Sequence, residues 1–462
     1  MKLSYWRKIL YASGSLGVAL SYQAFGTYIQ FLYIDILGLK ASLVGIGWSV
    51  YGIWNAVNDP LAGYWSDNTK TRWGRRIPWI ASTFIPVGLL FYLLWAPPSP
   101  LLSGDEKTPL FVYFMVVVLI FDLLWTIVVM NWTSLFPEMI ADEKERATVS
   151  GWREAFSIIG LLVGVALPPI LVGADWSGRG TMALWFALIT SATFGISLLG
   201  SKENLAIQHE KQPSFVPAIK ATFASLSFRW FMTANLFKEF IFSIMTASIP
   251  FWAKYVLKIQ GPTTLFGAEL SAELQNSLLL GSAFIMALPG VPIWTWVAKR
   301  WGGRGGWQMS QVTFALSILI LFFANDFLQA VIGTSIVGLS LAGLLVFPNL
   351  LVADVIDEDE TVVGARREGM YFGINGFIIR FAFSMQGITT GTILYLSRYI
   401  SSTPDNLYPE QPAPAVLGIR AMTSIIPIIA SVIAIWALQR YPLHSERLKA
   451  MREKIAAMRA QS

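Results

Sequence analysis

Charged and polar side chains interrupt several long apolar stretches of this sequence, where they could carry chemistry. Asp59 stands near the end of one such stretch, and Asn55 lies one helical turn earlier on the same face. Two oxygen-bearing side chains stacked in this way suit a hard cation, which prefers oxygen ligands. The pattern predicts a site for cation or proton coupling at Asp59 and Asn55. The alternative is that Asp59 only braces the polar segment that follows it.

Three further charged residues, Asp122, Arg153 and Arg380, lie within other apolar stretches. Asp122 either joins the coupling site or forms a structural ion pair with Arg153, and we favour the structural pair. Arginine stays charged and grips a carboxylate or phosphate through a planar fork. We therefore expect Arg153 and Arg380 to bind an anionic group of a substrate, or to form ion pairs with Asp59 or Asp122.

Lys238 and Glu239 are adjacent in another apolar stretch, and Trp132 follows Asn131 in the stretch that contains Asp122. Neighbouring helical residues point about 100° apart. We therefore expect Lys238 and Glu239 to have separate partners, and at least one of them to contact the substrate. Most tryptophans of such a chain anchor the membrane interface or pack in the core. Trp132 is the one that we select as a stacking surface for a sugar, with core packing as its alternative.

The composition shows which elements must position these residues. Of the 462 residues, 55% are hydrophobic and 13% are charged, whereas soluble domains contain about 25% charged residues. A helix that spans a bilayer needs roughly 20 apolar residues. We therefore predict an all-α membrane protein, which excludes soluble enzymes, nucleic-acid-binding proteins and secreted disulfide scaffolds. Twelve transmembrane helices are predicted, near 9–37, 41–65, 77–97, 109–134, 150–173, 181–200, 229–253, 277–298, 307–325, 328–352, 369–396 and 417–438.

Two sequence matches indicate an internal repeat. A shift of 228 residues aligns the segment 72–76 with 300–304, and a second match aligns 149–154 with 363–368. Parallel repeats of this kind place a substrate site near the midplane, between the two halves. We predict two six-helix pseudo-repeats, an N-terminal bundle and a C-terminal bundle, with a cytoplasmic linker between them and a cytoplasmic amphipathic tail. The predicted N-terminal bundle covers 1–200 and the linker 201–222. The predicted C-terminal bundle covers 223–439 and the tail 440–462.

The basic residues predict the orientation in the membrane. Of 34 lysines and arginines, 25 fall in or at the edge of segments that face the cytoplasm if the N-terminus is inside, and only six fall on the opposite side. The positive-inside rule then places both termini in the cytoplasm. This asymmetry explains the net charge of +6 without a nucleic-acid partner. The first apolar stretch is too long for the core of a signal peptide, so we expect it to be the first span of a cell-membrane protein.

The residue types argue against catalysis. The chain has no cysteine, and its two histidines, His209 and His444, lie in polar segments outside the apolar stretches. Disulfides, thiolate sites and histidine metal sites are therefore not expected. We predict that the protein is not an enzyme and has no cofactor or bound metal, apart from H⁺ or Na⁺ as a coupling ion. Its expected partners are a small-molecule substrate and the lipid bilayer, and we expect a monomer.

The loop after the second span carries a resemblance to a known family. The pattern Gly63-x3-Asp67-x4-Arg72-x-Gly-Arg-Arg76 resembles the signature loop of the major facilitator superfamily. More narrowly, Asn58-Asp59-Pro60 with the segment 72–79 is similar to the glycoside–pentoside–hexuronide:cation symporter family. Segments 135–138, 145–146, 353–357 and 366–373 fit the same family. The resemblance implies a twelve-helix major facilitator fold that moves a small sugar or glycoside by alternating access, coupled to a cation.

The resemblance also implies roles for single residues. Asp59 falls on a cation-site carboxylate of the family, and Arg153 falls on an arginine of the substrate region. Arg380 replaces a lysine that interacts with the cation-site carboxylates. Three acids that the family pattern requires are replaced in this chain, by Ala19, Asn55 and Val129. Sodium–sugar symport therefore does not carry over directly, and a single carboxylate suits proton exchange better than a dehydrated sodium ion.

Residues of the cytoplasmic loops, all but one of them charged, are predicted to latch the closed inner face. They are Asp67, Arg72, Gly74, Arg75, Arg76, Arg304, Asp354, Asp357 and Arg367.

Two other functions compete with sugar transport. A lysophospholipid or another amphipathic anion could be held by Arg380, and the missing acid at Ala19 favours this alternative. A transport-inactive receptor or assembly factor would keep the fold, but the charges retained within the spans argue against it, because buried charges are costly in a bilayer.

Overall fold

The computed structural model describes residues 4–102, 106–140, 143–203, 222–265, 267–363 and 368–461, and most of them are helical. The helices of the first part are α1 Tyr5–Ala12, α2 Gly14–Phe31, α3 Ala41–Asn68, α4 Ile77–Trp95, α5 Thr108–Met139, α6 Glu143–Val172 and α7 Arg179–Gly200. The helices of the second part are α8 Leu226–Tyr255, α9 Ala272–Phe323, α10 Phe327–Val363, α11 Glu368–Leu396, α12 Ala413–Arg420, α13 Ile426–Arg440 and α14 Ser445–Gln461. Short π-helical segments, Leu32–Ile36 and Ala421–Ile425, extend α2 and join α12 to α13.

Nine helices of the described residues are long and apolar enough to cross a membrane. This finding confirms the prediction of an all-α protein with many spans. One of the nine, α9, runs over 52 residues and contains Gly302, whose φ of 72° interrupts the helical backbone. The helices α2 and α3 coincide with predicted spans but are not among the nine. The arrangement is consistent with twelve spans.

The chain reverses direction at Gly302. A Cβ atom on Gly343 of α10 would lie 2.4 Å from Cβ of Ser310 and 2.9 Å from the ring of Trp294. Trp294 and Ser310 are equally far from Gly302 in the sequence, so the two parts of α9 fold back onto the same point of α10. A glycine adopts the positive φ of this turn without a steric penalty. The predicted loop between the eighth and ninth spans is therefore a turn centred on one residue.

The chain divides into two compact units. The first unit contains Met1–Lys211, Ile259–Ser277 and Leu394–Pro412, and the second contains Gln212–Lys258, Leu278–Ile393 and Ala413–Ser462. In the first unit, α2 packs closely along α6, where a Cβ on Gly160 would lie 2.5 Å from the carbonyl oxygen of Leu16. In the second unit, α8 packs along α13, and α8 is the most buried of the apolar helices described.

A small β-hairpin also belongs to the first unit. Strands β1 (Thr263–Leu265) and β2 (Ala268–Leu270) pair antiparallel, with Thr263 opposite Leu270. The sequence analysis did not predict this hairpin. It precedes α9, and Gln275 in the first turns of α9 donates a 2.9 Å hydrogen bond to the carbonyl of Gly261.

Candidate functional site

A buried carboxylate joins α3 to α5 in the first unit. Asp122 of α5 is 4% exposed. The Tyr51 hydroxyl donates a 2.9 Å hydrogen bond to its Oδ1, and the Asn58 amide donates to its Oδ2. The indole N–H of Trp54 adds a 3.0 Å bond to the Leu119 carbonyl. Buried charges require such partners, so α3 supplies the donors that hold Asp122 in place.

Asp59 and Asn55 lie on the same stretch of α3 as the donors to Asp122. Asn55 is 3% exposed, and its amide donates a 3.0 Å bond to the Tyr51 carbonyl. Asp59 is half-buried and follows Asn58 directly in the chain. We call Tyr51, Asn55, Asn58, Asp59 and Asp122 the α3–α5 cluster. The two predicted coupling acids of this cluster lie on two adjacent helices. The cluster also contains Tyr51 and Asn58, which the sequence analysis did not assign to the site.

The predicted ion pair between Asp122 and Arg153 is wrong. The Arg153 guanidinium lies over the rings of Trp132 and Phe136, at 4.6 and 4.8 Å from their centroids. Among the described residues no carboxylate pairs with Arg153, and its buried Nε has no hydrogen-bond partner. The reason is that both oxygens of Asp122 bind donors from α3, while the arginine is attracted to the electron-rich faces of two aromatic rings.

Tyr11 of α1 packs against Trp132 of α5 and holds its ring in place. The two rings stack with centroids 5.2 Å apart. The Tyr11 hydroxyl donates a 2.7 Å bond to the Trp132 carbonyl, and the Trp132 indole donates a 3.2 Å bond back to the Tyr11 carbonyl. Trp132 is only 2% exposed. Its ring therefore positions Arg153, and sugar stacking on Trp132 stays a prediction.

In the second unit, Lys238 and Glu239 form an ion pair with each other. The prediction that they have separate partners is wrong. The cause is the flexible four-carbon stem of lysine, which lets the ammonium group swing across the angle between neighbouring helical positions. One turn before Lys238, the Asn235 amide donates a 2.6 Å hydrogen bond to Asn375 of α11. Arg380 lies farther along α11 and is half-buried.

A second polar cluster lies in the first unit, around the loop between α3 and α4. The guanidinium groups of Arg75 and Arg76 donate to the same oxygen of Glu138, at 2.9 and 2.8 Å. Glu203 accepts hydrogen bonds from the backbone amides of Arg75, Arg76 and Ile77, at 2.7, 2.9 and 3.2 Å. Glu203 thus caps the N-terminus of α4, where free amides favour an anion.

Gly74 makes this capping geometry possible. Its φ is 109°, and a Cβ atom there would lie 2.1 Å from Oε2 of Glu203. The sequence motif pointed to Gly74, Arg75 and Arg76, but nothing in the sequence linked them to Glu203, which is more than a hundred residues away.

The other predicted gating residues have partners within their own unit or are exposed. Arg304 donates to the carbonyls of Leu438 and Gln439 at the end of α13, at 2.8 and 2.6 Å. Asp354 of α10 accepts a 3.0 Å bond from Arg452 of the tail helix α14. Arg72 is exposed and lies 4.8 Å from the ring centroid of Trp73.

Asp357 is half-buried on α10. Arg367 and the side chain of Asp67 lie outside the described residues.

Asp35 is a buried acid that the sequence analysis missed. It is 0% exposed and lies in the π-helical segment after α2. The hydroxyls of Tyr399 and Ser402 donate to its Oδ1, at 2.5 and 3.2 Å, and Ser402 also approaches Oδ2 at 3.1 Å. An acid inside the first apolar stretch was the available signal. It could not be assigned because its partners lie at the far end of the chain.

Comparison with known proteins identifies the family. A sequence model of the family described as MFS/sugar transport protein matches residues 10–445. The chain belongs to this family. The isoprimeverose transporter of Lactiplantibacillus pentosus is 26% identical, over 93% of this chain and 87% of that protein. The sodium-dependent lysophosphatidylcholine symporter 1 of Gallus gallus is 20% identical, over 100% of this chain and 91% of that protein.

The fold is also similar to solved transporter structures. The crystal structure of the nucleoside transporter NupG superposes with a TM-score of 0.65, over 95% of this chain and 99% of that chain, at 13% identity. The protein is thus a multi-pass membrane transporter with the predicted major facilitator fold, and not an enzyme. The predicted resemblance to the symporter family is confirmed.

Proposed function

We propose that the protein is a secondary transporter that carries a small sugar or glycoside across the membrane by alternating access, coupled to a proton or another cation. The observation that carries the proposal is the α3–α5 cluster, in which Asp122 is 4% exposed and bound by Tyr51 and Asn58. An ionisable group buried in an apolar helix of a membrane protein is costly, which makes a role in ion coupling the first hypothesis for it. The relative named as an isoprimeverose transporter supports a sugar as the substrate.

Coupling is assigned to Asp59 and Asp122, with Asn55 as an additional oxygen donor. The two acids lie on adjacent helices of one unit, and their carboxylates, together with the amide oxygen of Asn55, are oxygen groups of the kind that protons and hard cations bind. Neutralising each acid in turn therefore tests whether both carboxylates serve the coupling ion.

Substrate binding is assigned to Arg153 in the first unit and to Lys238, Glu239 and Arg380 in the second. The case is clearest for Arg153, because among the described residues no carboxylate neutralises it and its Nε has no hydrogen-bond partner. A guanidinium group can donate several hydrogen bonds in one plane, which suits adjacent hydroxyls of a sugar or an anionic group. The stacked rings of Tyr11 and Trp132 fix the surface on which Arg153 lies.

We further propose that both termini are cytoplasmic and that the protein lies in the cell membrane. Because the chain contains no cysteine, single cysteines report topology without background. Ser445→Cys, at the start of the tail helix, should resist a membrane-impermeant maleimide in intact cells. Asp405→Cys, in the segment between α11 and α12, should react with it. The reverse pattern would contradict this orientation.

A ligand panel tests the function. The purified protein would be melted with glycosides, pentosides, uronides or lysophosphatidylcholine, each at two pH values, with and without Na⁺. A ligand at 100 times its Kd adds about 2.7 kcal/mol to the free energy of unfolding. We expect a glycoside to raise the melting temperature in a pH-dependent way. A panel in which no sugar shifts the melting temperature would contradict the proposal.

Transport of a lysophospholipid is the second candidate. It is favoured by the relative named as a lysophosphatidylcholine symporter, which matches the whole chain. Arg380 would then hold the anionic phosphate of the headgroup, and Ala19 stands where the family pattern has a sugar-binding acid. A rise in melting temperature with lysophosphatidylcholine alone would support this candidate. If no ligand of the panel changes the melting temperature, a transport-inactive protein would be favoured.

A further inference from the structure

Gln311 is a buried polar residue for which the proposed coupling and substrate residues provide no partner. It lies on the part of α9 after Gly302 and is 0% exposed. Among the described residues, neither its Nε2 nor its Oε1 has a hydrogen-bond partner. Trp307, one turn earlier, is also 0% exposed, and its indole N–H has no partner either. Buried polar groups are normally bonded, so two such groups on one helical face indicate that something else occupies this place.

Aromatic contacts define what lies around Gln311. The ring of Phe231 on α8 is 6.1 Å from that of Trp307 on α9. The ring of Phe228, also on α8, is 4.9 Å from that of Tyr371 on α11. Helix α8 therefore meets both α9 and α11 at this level of the second unit. One turn after Phe231, Trp307 and Tyr371, each of the three helices carries a carboxamide side chain. These residues are Asn235, Gln311 and Asn375.

These three carboxamides lie at a common level because their helices run in the same direction. Successive spanning helices alternate in direction, and the reversal at Gly302 adds one more alternation within α9. Helix α8, the second part of α9 and α11 are therefore parallel. On each of these three helices, one turn toward the C-terminus therefore leads to the same side of the bundle. We call Asn235, Gln311 and Asn375 the amide layer.

The amide layer has hydrogen-bonding capacity to spare. Asn235 is 1% exposed and donates to Asn375 at 2.6 Å, but its own Oδ1 is buried and has no partner in the part of the chain that the structure describes. Gln311 leaves both a donor and an acceptor unused. The charges nearest along α8, Lys238 and Glu239, neutralise each other. A neutral group that both donates and accepts matches this set of unused atoms, and a hydroxyl is such a group.

We propose that the amide layer is a second substrate subsite, which binds hydroxyl groups of the transported sugar through Gln311 and Asn235. The proposal rests on the proposed function of sugar transport. It adds two asparagines and one glutamine to the site, and it assigns the substrate contacts in the second unit to neutral hydroxyls rather than to an anionic group.

The test replaces Gln311 by leucine, which keeps the side-chain volume and removes the amide. Purified wild type and Gln311→Leu would be reconstituted, and the KM for isoprimeverose and the isoprimeverose-induced rise in melting temperature would be measured. Gln386→Leu is the matched control, because Gln386 is equally buried but donates a 3.0 Å bond to Thr390 within its own helix. We expect the KM of Gln311→Leu to rise about tenfold and its sugar-induced shift to fall.

The melting temperature without sugar separates binding from a structural role. Because Gln311→Leu removes an unpartnered buried amide, its melting temperature without sugar should be unchanged or higher. The KM of the control Gln386→Leu should stay within about twofold of wild type. A Gln311→Leu protein with a wild-type KM and a wild-type sugar-induced shift would overturn the proposal, since the amide layer would then hold only water.

A second variant guards against misfolding of the first. Asn235→Ala should raise the KM for isoprimeverose but not for a monodeoxy analogue that lacks the hydroxyl bound there. An equal rise for every analogue would overturn the proposal. Wild-type protein that transports no sugar would overturn the proposed function itself, and this is seen before any variant is made.

Discussion

The Tyr51 hydroxyl donates a 2.9 Å hydrogen bond to Oδ1 of Asp122, and this bond ties α3 to α5 at a buried carboxylate. Asn58, two turns after Tyr51, binds the other oxygen of the same carboxylate. The residue that follows Asn58 is Asp59, the acid that the family resemblance assigns to coupling. A change in the charge of either acid should therefore alter the contact between α3 and α5. Coupling of an ion to substrate movement requires such a link.

The first prediction concerns these acids. Asp59→Asn and Asp122→Asn should each abolish accumulation of sugar against its gradient, because an amide cannot bind and release the coupling ion. Exchange of sugar across the membrane without net flux should persist. Uptake and counterflow in proteoliposomes measure both effects. Unchanged accumulation in both acid variants would refute coupling at this cluster.

The second prediction concerns Arg153. Arg153→Lys keeps the charge but loses the planar group that stacks on Trp132 and Phe136. We expect the KM for the transported sugar to rise at least about tenfold. Arg440→Lys is the control, since Arg440 also lies over a tryptophan ring but is exposed. Equal KM values for the two variants would remove Arg153 from the substrate site.

The third prediction concerns the cap on α4. Glu203 is 8% exposed and accepts from three backbone amides, so Glu203→Ala leaves those amides without their acceptor. We expect the free energy of unfolding to fall by about 2 kcal/mol. Glu453→Ala, at a position 68% exposed on the tail helix, should change it little. Thermal unfolding in detergent, followed by tryptophan fluorescence, compares the two. A wild-type melting curve for Glu203→Ala would show that the cap contributes nothing.

The fourth prediction compares two glycines. Gly74→Ala places a methyl group on a backbone with φ of 109°, against the Glu203 carboxylate, and should cost about 2 kcal/mol of stability. Gly151→Ala lies on helix α6 with no atom within 4 Å of the added carbon. It should be neutral or stabilise by about 0.5–1 kcal/mol. The same unfolding assay applies, and a Gly74→Ala protein as stable as wild type would mean that the loop can rearrange.

Much of the fold followed from the sequence because apolar length is a local property. The helices from α4 to α8 coincide closely with the predicted spans, and the break at Gly302 falls within the predicted polar interval. The site was harder to predict. Asp59, Asp122 and Arg153 could be found because charged residues are rare in apolar stretches. Their partners could not, because Tyr51 and Phe136 are unremarkable in sequence until packing brings them to those charges.

The errors have the same origin. A pairing of Asp122 with Arg153 is reasonable on charge alone, but it ignores the donors that α3 presents and the aromatic faces beside the arginine. Lys238 and Glu239 were expected to point apart because the helix geometry fixes Cβ directions, whereas a lysine ammonium is four bonds farther out. Glu203, Asp35 and Gln311 were missed since their importance depends on burial and on residues distant in the chain.

The most direct test of sugar–ion symport is uptake of radiolabelled isoprimeverose into proteoliposomes that contain the purified wild-type protein. Uptake would be followed with an inward proton gradient, with an inward Na⁺ gradient, and with neither. We predict that one gradient drives the internal sugar concentration above the external one, and that collapsing the gradient releases the excess. Sugar that never exceeds equilibrium under either gradient, while lysophosphatidylcholine accumulates, would contradict sugar–ion symport and assign the protein to lipid transport.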